Sequence, residues 1–294
     1  MIGRARSWLY VPAHRPELLA KAMAGAADAI VFDLEDAVPA QAKADARANA
    51  VAATAIEQPK PLWVRVNPLG SEWGEADLAA LAGSAAAGLR LPKVEDRDAV
   101  ATAAERVGLP LHVTIESALG VERAFELAGA HPLVAVVSLG EADLMADLRI
   151  RDRDALGWAR QRVINANRAA GLPSPPHAVW TAVADLAGLE SDSRFARDQG
   201  FFGRSVVHPS QVEIVNRVFS PDPDEVERAR TLLDSLAGQP DQDVAAWLDE
   251  RGRFVDPAVV AGARWVVDLA DAIAGRPTAV GETTRQSAQG RTSS

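Results

Sequence analysis

The chain has 294 residues, of which 48% are hydrophobic and 24% charged, and its formal net charge is −9. That composition is globular rather than disordered, and an acidic chain without a basic stripe is a poor general binder of nucleic acid. Cysteine is absent, which excludes a disulfide scaffold, thiolate metal sites, iron–sulfur clusters and a cysteine nucleophile.

Short apolar runs recur along the chain, each followed by a turn and an alanine-rich stretch of helical period. Trp8 to Val11 is the first and precedes a helix around Glu17 to Met23. Ala29 to Leu34 precedes a helix at Gln41 to Ala53, and Leu62 to Val66 one at Ala76 to Leu81. Gly88 to Pro92 is followed by Arg97 to Arg106, and Leu111 to Ile115 by Val121 to Ala128. Leu133 to Leu139 precedes a helix at Ala155 to Ala170; Ala178 to Trp180 is a weak seventh run and Phe202 to Val207 the eighth. This grammar predicts parallel βαβ units, and eight of them in about 220 residues match a closed (β/α)8 TIM barrel. An open doubly wound sheet is the competitor, weakened because no Gly-x-Gly-x-x-Gly follows a first strand. The expected division is a barrel over 1–220, a C-terminal helical lid or oligomer segment over 221–276, and a loose tail over 277–294. No apolar stretch reaches membrane-spanning length and no targeting segment is visible, so a cytoplasmic protein is expected.

A TIM barrel carries its chemistry at the carboxyl ends of its strands. There the sequence places Arg15, then Asp33, Glu35 and Asp36, then Arg65, Asn67, Lys93, Glu116, Glu141, Asp143 and His208. Glu116 and Asp143 end adjacent strands, and two carboxylates with room for water suit Mg²⁺ better than zinc. Each could equally be a helix-capping acid stabilised by the dipole. Arg65 stands in an apolar run, so it clamps an anion or pairs with Asp33 or Glu35. Asp36 is read as a supporting or metal-water contact. Lys93 supports the carboxylates electrostatically, with a Schiff-base role the lesser reading. His208 is a general base or, more readily, a cap on the following helix.

The stretches Ser7–Glu17, Asp33–Val38, Val64–Asn67, Leu91–Glu95, Ile115–Gly120, Leu139–Leu144 and Val207–Gln211 together resemble the citrate lyase β-subunit-like enzymes of the HpcH/HpaI aldolase and citrate lyase superfamily. The resemblance runs in order from about Ser7 to Ala274. It implies a (β/α)8 barrel with a C-terminal lid, assembled as a homotrimer or hexamer. It implies Mg²⁺-dependent cleavage or formation of a carbon–carbon bond in a 3-hydroxyacyl-CoA thioester, such as citryl-, malyl- or citramalyl-CoA, with a small oxoacid as the other product. By the same resemblance Glu116 and Asp143 bind Mg²⁺, Arg65 contacts substrate, Arg15 and Lys21 approach the CoA phosphates, and Asp256 on the lid acts as acid/base. Alternatives are a lyase subunit acting on an acyl-carrier protein, an aldolase of free 4-hydroxy-2-oxo acids, and a non-catalytic CoA- or oxoacid-binding barrel. One departure is His177, where many relatives have Asp before the seventh strand; it bears on acyl preference or is loop drift.

Overall fold

The structure is a computed structural model that describes residues 2–237, 247–248, 252 and 254–275. Seven strands form one parallel sheet: β1 (Ser7–Pro12), β2 (Ala29–Asp33), β3 (Leu62–Arg65), β4 (Gly88–Leu91), β5 (Leu111–Ile115), β6 (Val134–Leu139) and β7 (Arg204–Val206). Their order is β6-β5-β4-β3-β2-β1-β7. Helices α1 (Glu17–Ala24), α2 (Lys43–Ala53), α3 (Glu72–Leu81), α4 (Arg97–Val107), α5 (Ala118–Glu122), α6 (Ala124–Ala128), α7 (Glu141–Leu148), α8 (Gly157–Ala169), α9 (Leu186–Gln199) and α10 (Val212–Val218) fill the connections. The strand residues are buried almost throughout, as parallel strands covered on both faces must be.

The sheet curls into a TIM-barrel-like half-barrel. Arg90 on β4 donates to Ser205 Oγ on β7 at 3.0 Å, although three strands separate β4 from β7 in the sheet order. Only a curled sheet brings those side chains together. At the amino end of the strands, Trp8, Trp63 and His112 plug the interior in edge-to-face contacts at 5.7–6.3 Å. Gly88 is required there, because a Cβ would fall 2.2 Å from the Trp63 ring.

The expected seventh stave is not a strand. Pro173, Pro175 and Pro176 remove backbone donors just before it, and only His177 bridges to Arg204 in parallel fashion. Side chains serve the edge left open at β6: Asn167 of α8 accepts from Val137 N–H at 2.9 Å and donates to Val137 C=O at 2.8 Å. That satisfies backbone groups a neighbouring strand would otherwise pair. The short helix α7 and the helices α9 and α10 were absent from the sequence expectation; each follows a short or strongly polar signal.

The chain divides into two compact units, Met1–Phe219 and Ser220–Ser294. The second contains α11 (Pro223–Ala237), a two-stranded antiparallel ladder of β8 (Trp247–Leu248) and β9 (Phe254–Val255), and α12 (Pro257–Ile273). Ala229 packs with Ala263 and Val266 between the two helices, and Arg230 pairs with Asp271 at 2.7 Å. The expected loose tail over 277–294 lies outside the described residues. Among the described residues no helix is long and apolar enough to cross a membrane.

Candidate active site

A cavity of about 430 Å³ opens at the carboxyl ends of the strands, lined among others by Tyr10, Arg65, Arg90, Glu116, Asp143 and Ser205. Another, of about 490 Å³, lies at the amino ends around Trp8 and Trp63, its polar lining being Glu57, Gln58 and Lys60. The first is the functional candidate because the charged strand-end residues converge on it.

Arg65 ends β3. Its Nε and Nη2 grip the two oxygens of Asp33 at 2.6 and 2.7 Å. Nη1 donates to Asp36 Oδ2 at 3.2 Å and lies 2.7 Å from Glu35 Oε2. Asp33, fully buried, also accepts the backbone N–H groups of Glu35 and Ala37, which folds the loop after β2 back over the barrel mouth. Thus the loop, rather than continued strand alternation, brings Glu35 and Asp36 to the same guanidinium. Three of its five N–H groups are hydrogen bonded inside the protein and Glu35 lies at ion-pair distance, so the ion-pair reading of Arg65 is realised. These bonds hold the guanidinium charge firmly on, opposing its desolvation.

Lys93 donates to Glu35 Oε1 at 2.7 Å. Its pKa is raised by that bond and by the surrounding carboxylates, although burial opposes the charge. A protonated ammonium is no Schiff-base nucleophile; Lys93 supports the carboxylates. Lys43 fastens the same loop from behind, donating to the Leu34 and Glu35 carbonyls and to Asn67 Oδ1 at 2.6–2.8 Å. His208 accepts from Ser210 N–H while Gln211 returns to the His208 backbone, a capping box, so its side chain is a helix cap.

Glu116 follows β5 and is 7% exposed. Its Oε2 is buried without a hydrogen-bond partner. Burial, then the charges of Glu35 and Asp143, push its carboxyl up to about 8. Gly140 makes this placement possible: a Cβ at 140 would lie 2.6 Å from Glu116 Cγ. Asp143 sits exposed in the first turn of α7, where the helix dipole favours an acid. Glu141, two residues earlier, also lines the cavity, but its carboxylate is engaged within the protein. It accepts from Arg160 at 2.7 and 2.8 Å, from Arg153 at 2.8 Å and from His177 Nε2 at 2.9 Å. Its carboxyl is held well below the usual range, chiefly by the Arg160 hydrogen bonds, against a larger opposing effect of burial.

His177 is therefore no drifting loop residue. It is 1% exposed, its Nδ1 faces Arg204 at 2.7 Å, and it ties the stave at 177 to the start of α7. Its neighbours Ala178 and Val179, not its own ring, line the cavity.

Residues 6–209 match the HpcH/HpaI aldolase/citrate lyase family. The chain belongs to that family. It is accordingly an enzyme of a lyase family. A (3S)-malyl-CoA thioesterase of Cereibacter sphaeroides is 38% identical over 277 residues, covering 92% of this chain and 95% of that protein. Citrate lyase subunit beta of Escherichia coli K12 is 30% identical over 287 residues, covering 90% of this chain and 93% of the subunit. Among solved structures, Mycobacterium tuberculosis CitE in complex with magnesium, acetoacetate and coenzyme A superposes with a TM-score of 0.77 at 30% identity, covering 92% of this chain and 99% of that one.

The family's divalent ion can be weighed against these residues. Glu116 offers a buried carboxylate oxygen with no internal partner, and Asp143 offers an exposed one beside it. Among the described residues no group of three or more His, Cys, Asp or Glu is placed to enclose a metal. Two carboxylates plus water and ligand oxygens is the donor set that Mg²⁺ accepts and zinc does not favour, so the residues fit.

Arg15 and Lys21 are exposed and away from the cavity lining; Arg15 pairs with Glu17 at 2.6 Å. Asp256 caps α12 in the C-terminal unit, accepting Val259 N–H at 2.9 Å. The residue that sequence reasoning missed is Arg90. It is buried inside β4, and a single cation in an apolar strand was the available signal.

Proposed function

We propose that this protein is a Mg²⁺-dependent carbon–carbon lyase that cleaves or forms a 3-hydroxyacyl-CoA thioester, yielding an acyl-CoA and an oxoacid. The observation that carries the reading is the orphaned, buried Oε2 of Glu116 facing a strand-end cavity beside Asp143 and Arg65. Glu116 and Asp143 would hold the ion. When bound, Mg²⁺ supplies Lewis acidity and a template for substrate oxygens.

The chain's own residues supply the rest. Arg65, fixed by Asp33 and Asp36 on the cavity wall, would set its positive charge against developing negative charge on the thioester oxygen. Lys93 and Arg65 offset part of the negative charge of Asp33, Glu35 and Asp36, lessening the repulsion of an anionic thioester. Asp256 is assigned the proton transfer at the acyl carbon, within an oligomer of this chain, and Arg15 and Lys21 the CoA phosphates. The 38% identity to an enzyme named for malyl-CoA, against 30% to a citrate lyase subunit, supports CoA as the acyl bearer.

Thioester hydrolysis is a second reading, favoured by the 38% identity to a (3S)-malyl-CoA thioesterase against 30% to a citrate lyase subunit. Product analysis with malyl-CoA separates the two. Cleavage of the carbon–carbon bond gives glyoxylate and acetyl-CoA; hydrolysis gives malate and free CoA. Glyoxylate appearing first, and only without chelator, supports the lyase. Malate without any glyoxylate overturns it.

A further inference from the structure

Helix α7 carries Asp143 in its first turn, and that turn has little of its own to hold it. Gly140 before it supplies no side-chain cap. A helix of eight residues is too short to stand on its own hydrogen bonds. The stave that would flank this corner of the sheet is not a strand. Leu144 is buried beneath the helix, and at the far end Asp147 accepts the Ala118 N–H at 2.7 Å. At the near end the side-chain anchor is Glu141.

The hydrogen bonds around Glu141 run in one sense. Arg204 of β7 can only donate, so His177 Nδ1, 2.7 Å from it, is the acceptor. The ring proton therefore sits on Nε2, which donates to Glu141 Oε1 at 2.9 Å. Arg160 of α8 closes the chain from the other side, with Nε on Oε1 at 2.7 Å and Nη2 on Oε2 at 2.8 Å. Arg204 is fastened in turn by Ser193 Oγ at 2.7 Å and by Asp192. All four members of the chain are buried. It joins β7 to α8 where backbone pairing is missing, and it passes through the first residue of α7. Helical residues advance by about 100° each, so Asp143 stands about 200° round the axis from Glu141. Holding Glu141 thus fixes the rotation of the turn and the direction in which Asp143 meets the cavity.

We infer that His177 and Arg160, neither of which lines the cavity, are positioning residues that aim Asp143 at the ion shared with Glu116 by anchoring Glu141. The inference rests on the assignment of Glu116 and Asp143 as the ion's ligands. It differs from a merely structural role in one consequence. A cluster that only fills the gap in the barrel affects stability, whereas a cluster that aims Asp143 also sets the metal affinity of the folded protein.

The test is a Mn²⁺ titration of the full-length, chelated protein by electron paramagnetic resonance, with urea unfolding alongside. Arg160→Lys keeps the charge and loses the two-pronged hold on Glu141; His177→Ala loses the bonds to both neighbours. Each weakens Mn²⁺ by about tenfold. His177→Gln, whose amide can accept and donate as the ring does, stays within about threefold of the wild type. Asn167→Ala loses the bonds to Val137 on the same flank and none to α7; it lowers the urea midpoint and leaves Mn²⁺ binding unchanged. In an Asp143→Asn background neither Arg160→Lys nor His177→Ala weakens Mn²⁺ further, because the ligand they aim is gone. Should Arg160→Lys fail to fold, His177→Ala carries the comparison. The inference is overturned if the folded variants bind Mn²⁺ as the wild type does, or if their losses add in full to that of Asp143→Asn. A wild type without a Mn²⁺ site, or with one untouched by Glu116→Gln, instead refutes the ligand assignment, and the inference with it.

Discussion

Glu116 gives the sharpest prediction, made for the chelated, metal-free protein. Its carboxyl ionises at about 8 in the fold against an ordinary value of 4.5. Between those two pH values the folded chain holds a proton that the unfolded chain releases, so stability falls as pH rises through the window. At about 1.4 kcal/mol per tenfold change in proton affinity, the wild type loses up to about 5 kcal/mol between pH 4.5 and 8 from this group. Glu116→Gln keeps the shape and removes the ionisation. The variant therefore escapes that loss, and the difference between the two proteins grows with pH. Mg²⁺ reverses the loss in the wild type, because the ion supplies the charge the carboxylate lacks, and does nothing for the variant. The assay is urea unfolding from pH 5 to 8.5 in EDTA and again in excess Mg²⁺. Parallel pH profiles for both proteins, or equal Mg²⁺ stabilisation of both, would refute the reasoning.

Three further outcomes follow from the same geometry. Gly140→Ala drives a methyl into Glu116 Cγ; it should lower stability by about 1–3 kcal/mol and weaken Mg²⁺ binding, as read by denaturation and metal titration. Glu141→Gln strands the buried Arg160, at a loss of about 3–5 kcal/mol. In the wild type the Glu141 contribution is full above pH 4.5 and fades on acidification, since its folded carboxyl is held low; urea midpoints at pH 3–6 check the sign. Arg65→Lys retains charge but breaks the two-pronged hold on Asp33, so turnover should fall at least about tenfold while circular dichroism stays native.

Much of the architecture was legible because buried parallel strands are short, apolar and bounded by turns. Seven of the eight expected staves are strands. The seventh failed where prolines stripped the backbone donors and a His177–Glu141 hydrogen bond took over the connection. At the site, strand-end position located Arg65, Glu116, Asp143 and Lys93. What spacing could not show was direction. Glu141 and Asp143 share one helical turn and both line the cavity, yet Glu141 is consumed by Arg160 while Asp143 is exposed. The loop after β2 set all three of its acids on Arg65, against strict alternation. Arg90 was passed over because a lone arginine inside a strand reads as an exception until the curled sheet shows that its hydrogen-bond partners are all hydroxyls.

The account stands on Glu116 and Asp143 gripping one divalent cation at the barrel mouth. Titrating the chelated protein with Mn²⁺, followed by electron paramagnetic resonance, tests it directly. The prediction is a single tight site in the wild type, abolished in Glu116→Gln and weakened in Asp143→Asn. Undiminished Mn²⁺ binding in the folded Glu116→Gln variant would contradict it.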